Sequence, residues 1–112
     1  MNTEVEYLYR DGANYKLWIT EVLPGELSEA EIAEIFEISK DQMFEDLHPF
    51  YPENIALDAK TFASEGHKEY DDDPDWHELI SITRTRQTPT TKFTADLFLE
   101  SFRNRTAIQP KF

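Results

Sequence analysis

The first two segments of the chain alternate apolar and polar residues with the period of a β-strand. In EVEYLY and YKLWITEV one face carries the larger apolar side chains, which are Val5, Tyr7 and Tyr9 in the first segment and Tyr15, Leu17 and Ile19 in the second. Asp11-Gly12 lies between the segments, and this dipeptide is typical of a turn between antiparallel strands. The pattern therefore predicts an N-terminal β-hairpin.

The alternation also predicts the register of the hairpin. A three-residue loop, Asp11–Ala13, sets Tyr7 opposite Leu17 and keeps the apolar side chains of both strands on one face. A two-residue loop sets Tyr7 opposite Lys16 and mixes the two faces. We therefore expect the three-residue loop, which places Trp18 on the face away from Tyr7.

The segment LSEAEIAEIFEISKDQMFEDL has its apolar residues at helical spacing. Ser28 followed by Glu31 forms a capping box, which marks the start of a helix. The residues that share the helical stripe are Ile32, Ile35, Phe36, Ser39, Met43 and Leu47. The spacing predicts a helix over about 29–47 that ends before Pro49, with a break near Lys40-Asp41 as the alternative.

Two further elements follow in the second half of the chain. The segment WHELISITRTR is rich in β-branched residues and predicts a strand over about 76–86, with Leu79 and Ile82 on opposite faces. The segment FTADLFLESFRNR fits both periods. Its phenylalanines four positions apart favour a helix over about 94–104, whereas a strand would place alternate apolar residues on one face.

Neither an internal repeat nor a Gly/Ser-rich linker divides the chain, so we expect residues 1–112 to form a single domain. The order of elements predicts an α+β fold. A small antiparallel sheet, made of the hairpin and the strand near 76–86, would pack against one long acidic helix (about 29–47) and a C-terminal helix (about 94–104).

Charge is distributed unevenly along the chain. The sequence has 23 acidic and 11 basic residues and a formal net charge of -12. Residues 1–80 hold 21 of the acids and 5 of the bases, whereas residues 81–112 hold 2 acids and 6 bases. A surface that binds DNA must neutralise phosphates, so this balance disfavours direct binding of nucleic acid and of anionic membrane.

Composition narrows the kinds of site that the chain can hold. The absence of cysteine excludes disulfides, thiolate metal sites and a cysteine nucleophile. No apolar run approaches the roughly 20 residues that span a bilayer, and the first residues do not resemble a secretory signal. We therefore expect a soluble cytoplasmic protein that uses no cofactor and contacts no membrane.

The acidic segment EYDDDPDWHE, residues 69–78, supports more than one interpretation. His67, Asp72 and His77 offer the imidazole and carboxylate ligands of a metal site, although the spacing matches neither an EF-hand loop nor an H-E-x-x-H motif. Two of its carboxylates could act as an acid–base pair, but a solvated loop lacks the burial that separates their pKa values. The plainer interpretation is a turn that leads into a strand, with neither a metal nor a catalytic residue.

Acids of the predicted helix and of the acidic segment are candidates for binding a basic partner. If both groups lie on one surface, their negative field would steer such a partner to it. Trp18 would add an aromatic anchor off the core face. The candidate partner-binding residues are Glu31, Glu34, Glu37, Asp71, Asp72, Asp73, Asp75 and Trp18. The alternative is that the acids serve only to keep the protein soluble.

Three segments of the sequence resemble motifs of a group of small bacterial proteins with no established activity. YLYRDGANYK is similar to the Y-x-Y-R-D-x-x-N-Y-K start of the group, FYPENIALD to its F-x-P-E-x-[IV]-x-L middle, and DDPDWHEL to its acidic W-H-E segment. The resemblance covers about three quarters of the chain. It implies a bacterial or phage origin.

The charge balance of residues 1–80 leads to a functional hypothesis. We expect a non-enzymatic interaction protein that binds a basic surface of a protein partner. Its sharpest version is a phage- or mobile-element-encoded inhibitor that mimics the charge of nucleic acid. The alternatives are a metal-binding protein that uses the segment 67–77 and an operon-associated soluble domain. The exposed face of the hairpin also offers a surface for a homodimer.

Overall fold

The computed structural model describes residues 1–10, 15–57 and 76–109. The elements are β1 (Asn2–Arg10), β2 (Lys16–Leu23), α1 (Glu29–Ser39), β3 (Pro49–Phe50), β4 (His77–Thr85) and α2 (Ala95–Arg103), with 3-10 helices at Pro52–Ile55 and Thr106–Ile108. The four strands form one antiparallel sheet in the order β2-β1-β4-β3. Two helices beside a small antiparallel sheet confirm the predicted α+β fold. In the described ranges, neither α-helix has the length and apolar character needed to cross a bilayer.

β1 and β2 form the predicted hairpin, but the register differs by two residues from the prediction. Tyr7 lies opposite Ile19, and the last pair of the ladder joins Arg10 to Lys16. Residues 11–15 therefore connect the strands in place of the expected three-residue loop, and residues 11–14 lie outside the described part of the chain. A shift of two positions keeps every side chain on its predicted face, because side chains alternate with a period of two.

β4 pairs with β1 and contains a β-bulge at Ile80. The register shifts at the pair Tyr7–Leu79, so that Ile80 is an extra residue in the ladder. Beyond the bulge the alternation is reversed, and both Leu79 and Ile82 are buried. The prediction that these two side chains lie on opposite faces is therefore wrong, because an inserted residue changes which face the rest of a strand presents.

Aromatic rings from β1, β3 and α2 pack together in the core between the sheet and the helices. Tyr7 and Phe50 pack edge to face with ring centroids 5.1 Å apart. Phe50 lies 6.1 Å from Phe102, whose ring is in turn 5.0 Å from that of Phe98. All four residues are fully buried. These contacts join β1, β3 and α2, and they add to the pairing with β4 that holds the two-residue strand β3.

α1 begins as predicted and ends early. The Ser28 side chain accepts a hydrogen bond from the Glu31 backbone and the Glu31 carboxylate accepts one from the Ser28 backbone, which completes the capping box. The helix ends at Ser39, so the predicted extent to about residue 47 is wrong and the alternative break near Lys40-Asp41 is confirmed. Extended backbone at Lys40 (φ -57, ψ 129) turns the chain out of the helix.

α2 confirms the helical interpretation of the segment near 94–104. The Thr94 side chain caps its first turn by accepting a hydrogen bond from the Leu97 backbone at 3.2 Å. Phe98 and Phe102 both face the core. The four-residue spacing of the phenylalanines therefore matches the helix, and the alternation of apolar residues in the same segment does not correspond to a strand.

Candidate partner-binding site

The α1 carboxylates that were predicted to meet a partner have contacts within the fold. Glu34 accepts hydrogen bonds of 2.6 and 2.9 Å from the Arg103 guanidinium, which joins α1 to α2. Glu31 takes part in the capping box. The Glu37 side chain is 76% exposed, with its carboxylate 3.7 Å from the Lys40 ammonium. Glu37 is therefore the most accessible of the three.

Basic residues of the C-terminal region neutralise acids near the start of α1. The guanidinium nitrogens of Arg84 lie 3.4 Å from a carboxylate oxygen of Glu26 and 3.4 Å from one of Glu29. Together with the ion pair between Arg103 and Glu34, these contacts place the base-rich part of the sequence against the acid-rich part. The charge asymmetry along the sequence is therefore partly cancelled in the folded protein.

The ion pair of Glu34 leads to a prediction about pH. The hydrogen bond from Arg103 lowers the pKa of Glu34 below its usual range. A lowered pKa in the folded state means that the pair stabilises the protein fully above the unfolded pKa of glutamate, about 4.3, and that this stabilisation is lost as the pH falls through the folded-state pKa. Glu34→Gln should therefore lower the melting temperature at pH 7, and the difference from wild type should shrink below about pH 4.

The matched control for this prediction is Glu45→Gln, which neutralises an exposed carboxylate that has no ion pair among the described residues. Melting temperatures measured from pH 3 to pH 8 separate the two variants. A Glu34→Gln difference that stays constant across this range would contradict the role assigned to the ion pair.

Trp18 lies on the outer face of the sheet, opposite Leu8. It is 57% exposed, whereas Tyr7 and Tyr9 on the other face are fully buried. Ile35 of α1 belongs to the same core cluster as Tyr7, so the helix covers the core face. Trp18 and the α1 carboxylates therefore lie on opposite sides of the sheet and do not form one surface.

The acidic segment lies mostly beyond the described residues. Asp71, Asp72, Asp73 and Asp75 of the predicted partner surface, and His67 of the alternative metal site, fall outside the described ranges. His77 is described and is fully buried on the core face, with its ring 5.3 Å from that of Tyr9 and 5.9 Å from that of Tyr7. Within the described ranges, three or more metal-ligating side chains do not come together.

A surface feature that the sequence did not predict follows α1. Residues 40–47, which we name the anchor loop, form a compact turn in which Asp41 Oδ1 accepts hydrogen bonds of 2.8 Å from the backbone N–H groups of both Met43 and Phe44. The Leu47 backbone closes the turn through bonds to Asp41 and Phe44 of 3.0 and 2.9 Å. Met43 is 83% exposed and Phe44 58% exposed. The loop therefore holds two large apolar side chains out in solvent.

Both ends of the anchor loop are fixed to the fold. At its base the Ser39 hydroxyl lies 3.2 Å from His48 Nδ1, and the Phe36 ring packs edge to face on the imidazole at 4.9 Å. The carbonyl of His48 accepts a hydrogen bond of 2.9 Å from the backbone of Leu79, which ties the loop to β4. Loops supported in this way present side chains at a defined position.

The Asp41 carboxylate, which caps the anchor loop by accepting two backbone hydrogen bonds, is charged at neutral pH. Hydrogen bonds from the backbone of Phe44 and then of Met43 lower the pKa of Asp41 below its usual range. The carboxylate form of Asp41 accepts these bonds more strongly than the protonated form does, so the charged form is favoured until the pH falls to the lowered pKa. The loop therefore keeps its conformation and its negative charge through the neutral range.

A cavity of about 490 Å³ opens beside the anchor loop. We name it the aromatic cavity, and its lining residues are Ile38, Ser39, Lys40, Asp41, Gln42, Phe44, Leu47, Pro49, Tyr51, Trp76 and Ile108. Its volume is in the range of ligand pockets, which are largely apolar with a few polar groups. The C-terminal end of α1, β3 and the start of β4 meet here, so distant parts of the sequence build one concavity.

The helix predicted over about 29–47 included the anchor loop because Met43 and Leu47 continue the apolar stripe of α1. In the structure they belong to a separate turn. One signal for it was present, since Asp is a frequent capping residue that bonds to backbone N–H groups ahead of it. Phe44, which lies off the helical stripe, was a second signal.

Comparisons with known proteins identified no relative of this chain. A scan against protein-family models, a search of curated proteins and a search of solved structures each found no match for the chain.

Proposed function

We propose that this protein is a non-enzymatic binding protein that presents its anchor loop to a basic surface of a protein partner. The observation that supports this most directly is the exposure of Met43 and Phe44, at 83% and 58%, on a loop that internal hydrogen bonds hold in place. Exposed large apolar side chains mark interaction sites when they lie together on a defined surface. Met43 and Phe44 are neighbours in the sequence, and they lie on a loop whose conformation is fixed by hydrogen bonds.

Charge around the anchor loop favours a basic partner. Between residues 37 and 46 the chain carries four carboxylates, on Glu37, Asp41, Glu45 and Asp46, against the single ammonium of Lys40. Such a field raises the association rate with a positively charged surface and disfavours negatively charged ones. The apolar pair would supply most of the affinity, since burying a methionine or phenylalanine side chain contributes about 1.5–3 kcal/mol.

A binding site on the anchor loop differs from an α1 surface that mimics the charge of nucleic acid. Glu34 and Glu29 of α1 are paired with arginines of the same chain, which leaves less free charge on the helix than its sequence suggests. The phosphate-mimicking version therefore remains a prediction. The proposal requires only a basic partner with an apolar depression that accepts Met43 and Phe44.

The proposal can be tested by capturing partners from a lysate of the source organism at low salt. Wild-type protein and the double variant Met43→Ser/Phe44→Ser are immobilised in parallel, and the captured proteins are identified and quantified. We expect basic proteins on the wild type and a reduction of at least about tenfold on the double variant, because losing two buried apolar anchors costs well over 1.4 kcal/mol.

Leu97→Ser is the matched control, because Leu97 is also an exposed apolar residue, at 47%, and lies on α2. The control should capture the same proteins as wild type. Capture that survives in the double variant, or that is lost equally in the control, would contradict the assignment of binding to the anchor loop.

A further inference from the structure

We propose that the aromatic cavity beside the anchor loop binds an arginine side chain of the partner protein. This inference rests on the proposed function and names the chemistry that the partner must supply. It follows from three features of the cavity, which are its aromatic lining, the second carboxylate oxygen of Asp41 and the pairing of the lining residue Lys40 with Glu37.

The cavity places three different aromatic rings around one space. Phe44, Tyr51 and Trp76 all line it, and none of the ring contacts in the described part of the chain joins any two of the three. The rings therefore border the cavity without closing it by stacking on one another. A guanidinium group stacks on such rings through cation–π attraction, most strongly on tryptophan.

Asp41 supplies the charged acceptor that a guanidinium requires. Asp41 lines the cavity, and both described hydrogen bonds to its carboxylate end on Oδ1, which leaves Oδ2 without a hydrogen bond in the described part of the chain. The bonds that lower the pKa of Asp41 keep this carboxylate ionised at neutral pH. Lys40 also lines the cavity, but its ammonium lies 3.7 Å from the Glu37 carboxylate, which offsets its charge.

Arginine fits these features better than lysine does. The guanidinium is planar and weakly hydrated, so it can lie against an aromatic face while its N–H groups reach a carboxylate. The methylene stem of the side chain would pack on the apolar lining, such as Ile38 and Leu47. A cavity of about 490 Å³ is large enough to hold one such side chain.

The test uses the full chain and butylguanidinium as the probe. Trp18→Phe leaves Trp76 as the single tryptophan, since the sequence has two, and its fluorescence then reports on the cavity. We expect a saturable change on titration with butylguanidinium. Butylurea, which is planar and of similar shape but uncharged, should give none over the same concentrations, and butylammonium should bind more weakly.

Asp41→Asn is the matched variant, because an asparagine Oδ1 can still accept the two backbone bonds of the loop while the charge is removed. It should weaken butylguanidinium binding about fivefold, the change that corresponds to the upper end of exposed ion-pair energies. A circular dichroism spectrum like that of wild type and a cooperative melting transition verify that the variant is folded. Asp46→Asn, which neutralises an acid that does not line the cavity, should bind the probe as tightly as wild type does.

The outcomes separate this inference from the proposed function. Binding of butylurea equal to that of butylguanidinium, tighter binding of butylammonium, or no saturable change in the folded protein would each overturn the arginine site. Partner capture that still depends on Met43 and Phe44 would then leave the proposed function standing. Probe binding together with capture that ignores the double variant would overturn the proposed function instead.

Discussion

Replacing Phe50 with alanine is expected to lower the free energy of unfolding by about 3–5 kcal/mol, the usual cost of removing a buried phenylalanine. Phe50 is fully buried, and its ring packs on those of Tyr7 and Phe102. It is therefore the residue through which β1, β3 and α2 pack together. For a domain whose total stability is about 5–15 kcal/mol, this loss is large. Urea unfolding followed by circular dichroism measures it.

Phe44→Ala is the matched control for this variant, since the same change is made at a residue that is 58% exposed. It should alter the free energy of unfolding by no more than about 0.5 kcal/mol. Similar losses for the two variants would mean that Phe44 is packed in solution, which would also remove the apolar anchor from the proposed binding site.

The second large effect is expected at the ion pair between Arg10 and Glu78. The guanidinium donates hydrogen bonds of 2.9 and 3.4 Å to the carboxylate, whose side chain is 4% exposed, while that of Arg10 is 34% exposed. Arg10→Met would leave the buried Glu78 carboxylate without its guanidinium partner. Breaking a buried pair in this way costs about 3–5 kcal/mol, and the partial exposure of Arg10 places the expected loss near the lower end.

The double variant Arg10→Met/Glu78→Gln distinguishes the energetic cost of an unpaired buried charge from the cost of lost packing. Glutamine keeps the shape of Glu78 but removes the charge, so the double variant should be more stable than Arg10→Met alone. Unfolding free energies of the wild type, the two single variants and the double variant complete the cycle. A double variant that loses the sum of both single losses would show that the two side chains do not stabilise each other.

Local patterns in the sequence predicted the type of each long element. Alternation predicted the hairpin and its core face, and the capping box predicted where α1 begins. Two of the errors, in the hairpin register and in β4, occurred where no local pattern decides the outcome. The hairpin register depends on a connection, residues 11–15, whose length Asp11-Gly12 does not determine. The bulge at Ile80 depends on how β4 fits against β1.

The candidate site was harder to predict than the fold. The sequence shows an excess of acidic residues, but the pairs of Glu34 with Arg103 and Glu29 with Arg84 join residues far apart in sequence. The aromatic cavity likewise combines Phe44 with Trp76. Because such contacts arise only when the chain folds, no spacing in the sequence indicates them.

The most direct test of the account is hydrogen–deuterium exchange of the protein alone and in complex with the basic protein that it captures most strongly. The backbone N–H groups of Gln42, Glu45 and Asp46 make no hydrogen bond within the described part of the chain, so these amides should exchange readily in the free protein and become protected in the complex. We predict that the protection is concentrated in residues 40–47 and around Trp76. Protection that falls on α1 or on β2, with residues 40–47 unchanged, would contradict the claim that the anchor loop is the binding surface.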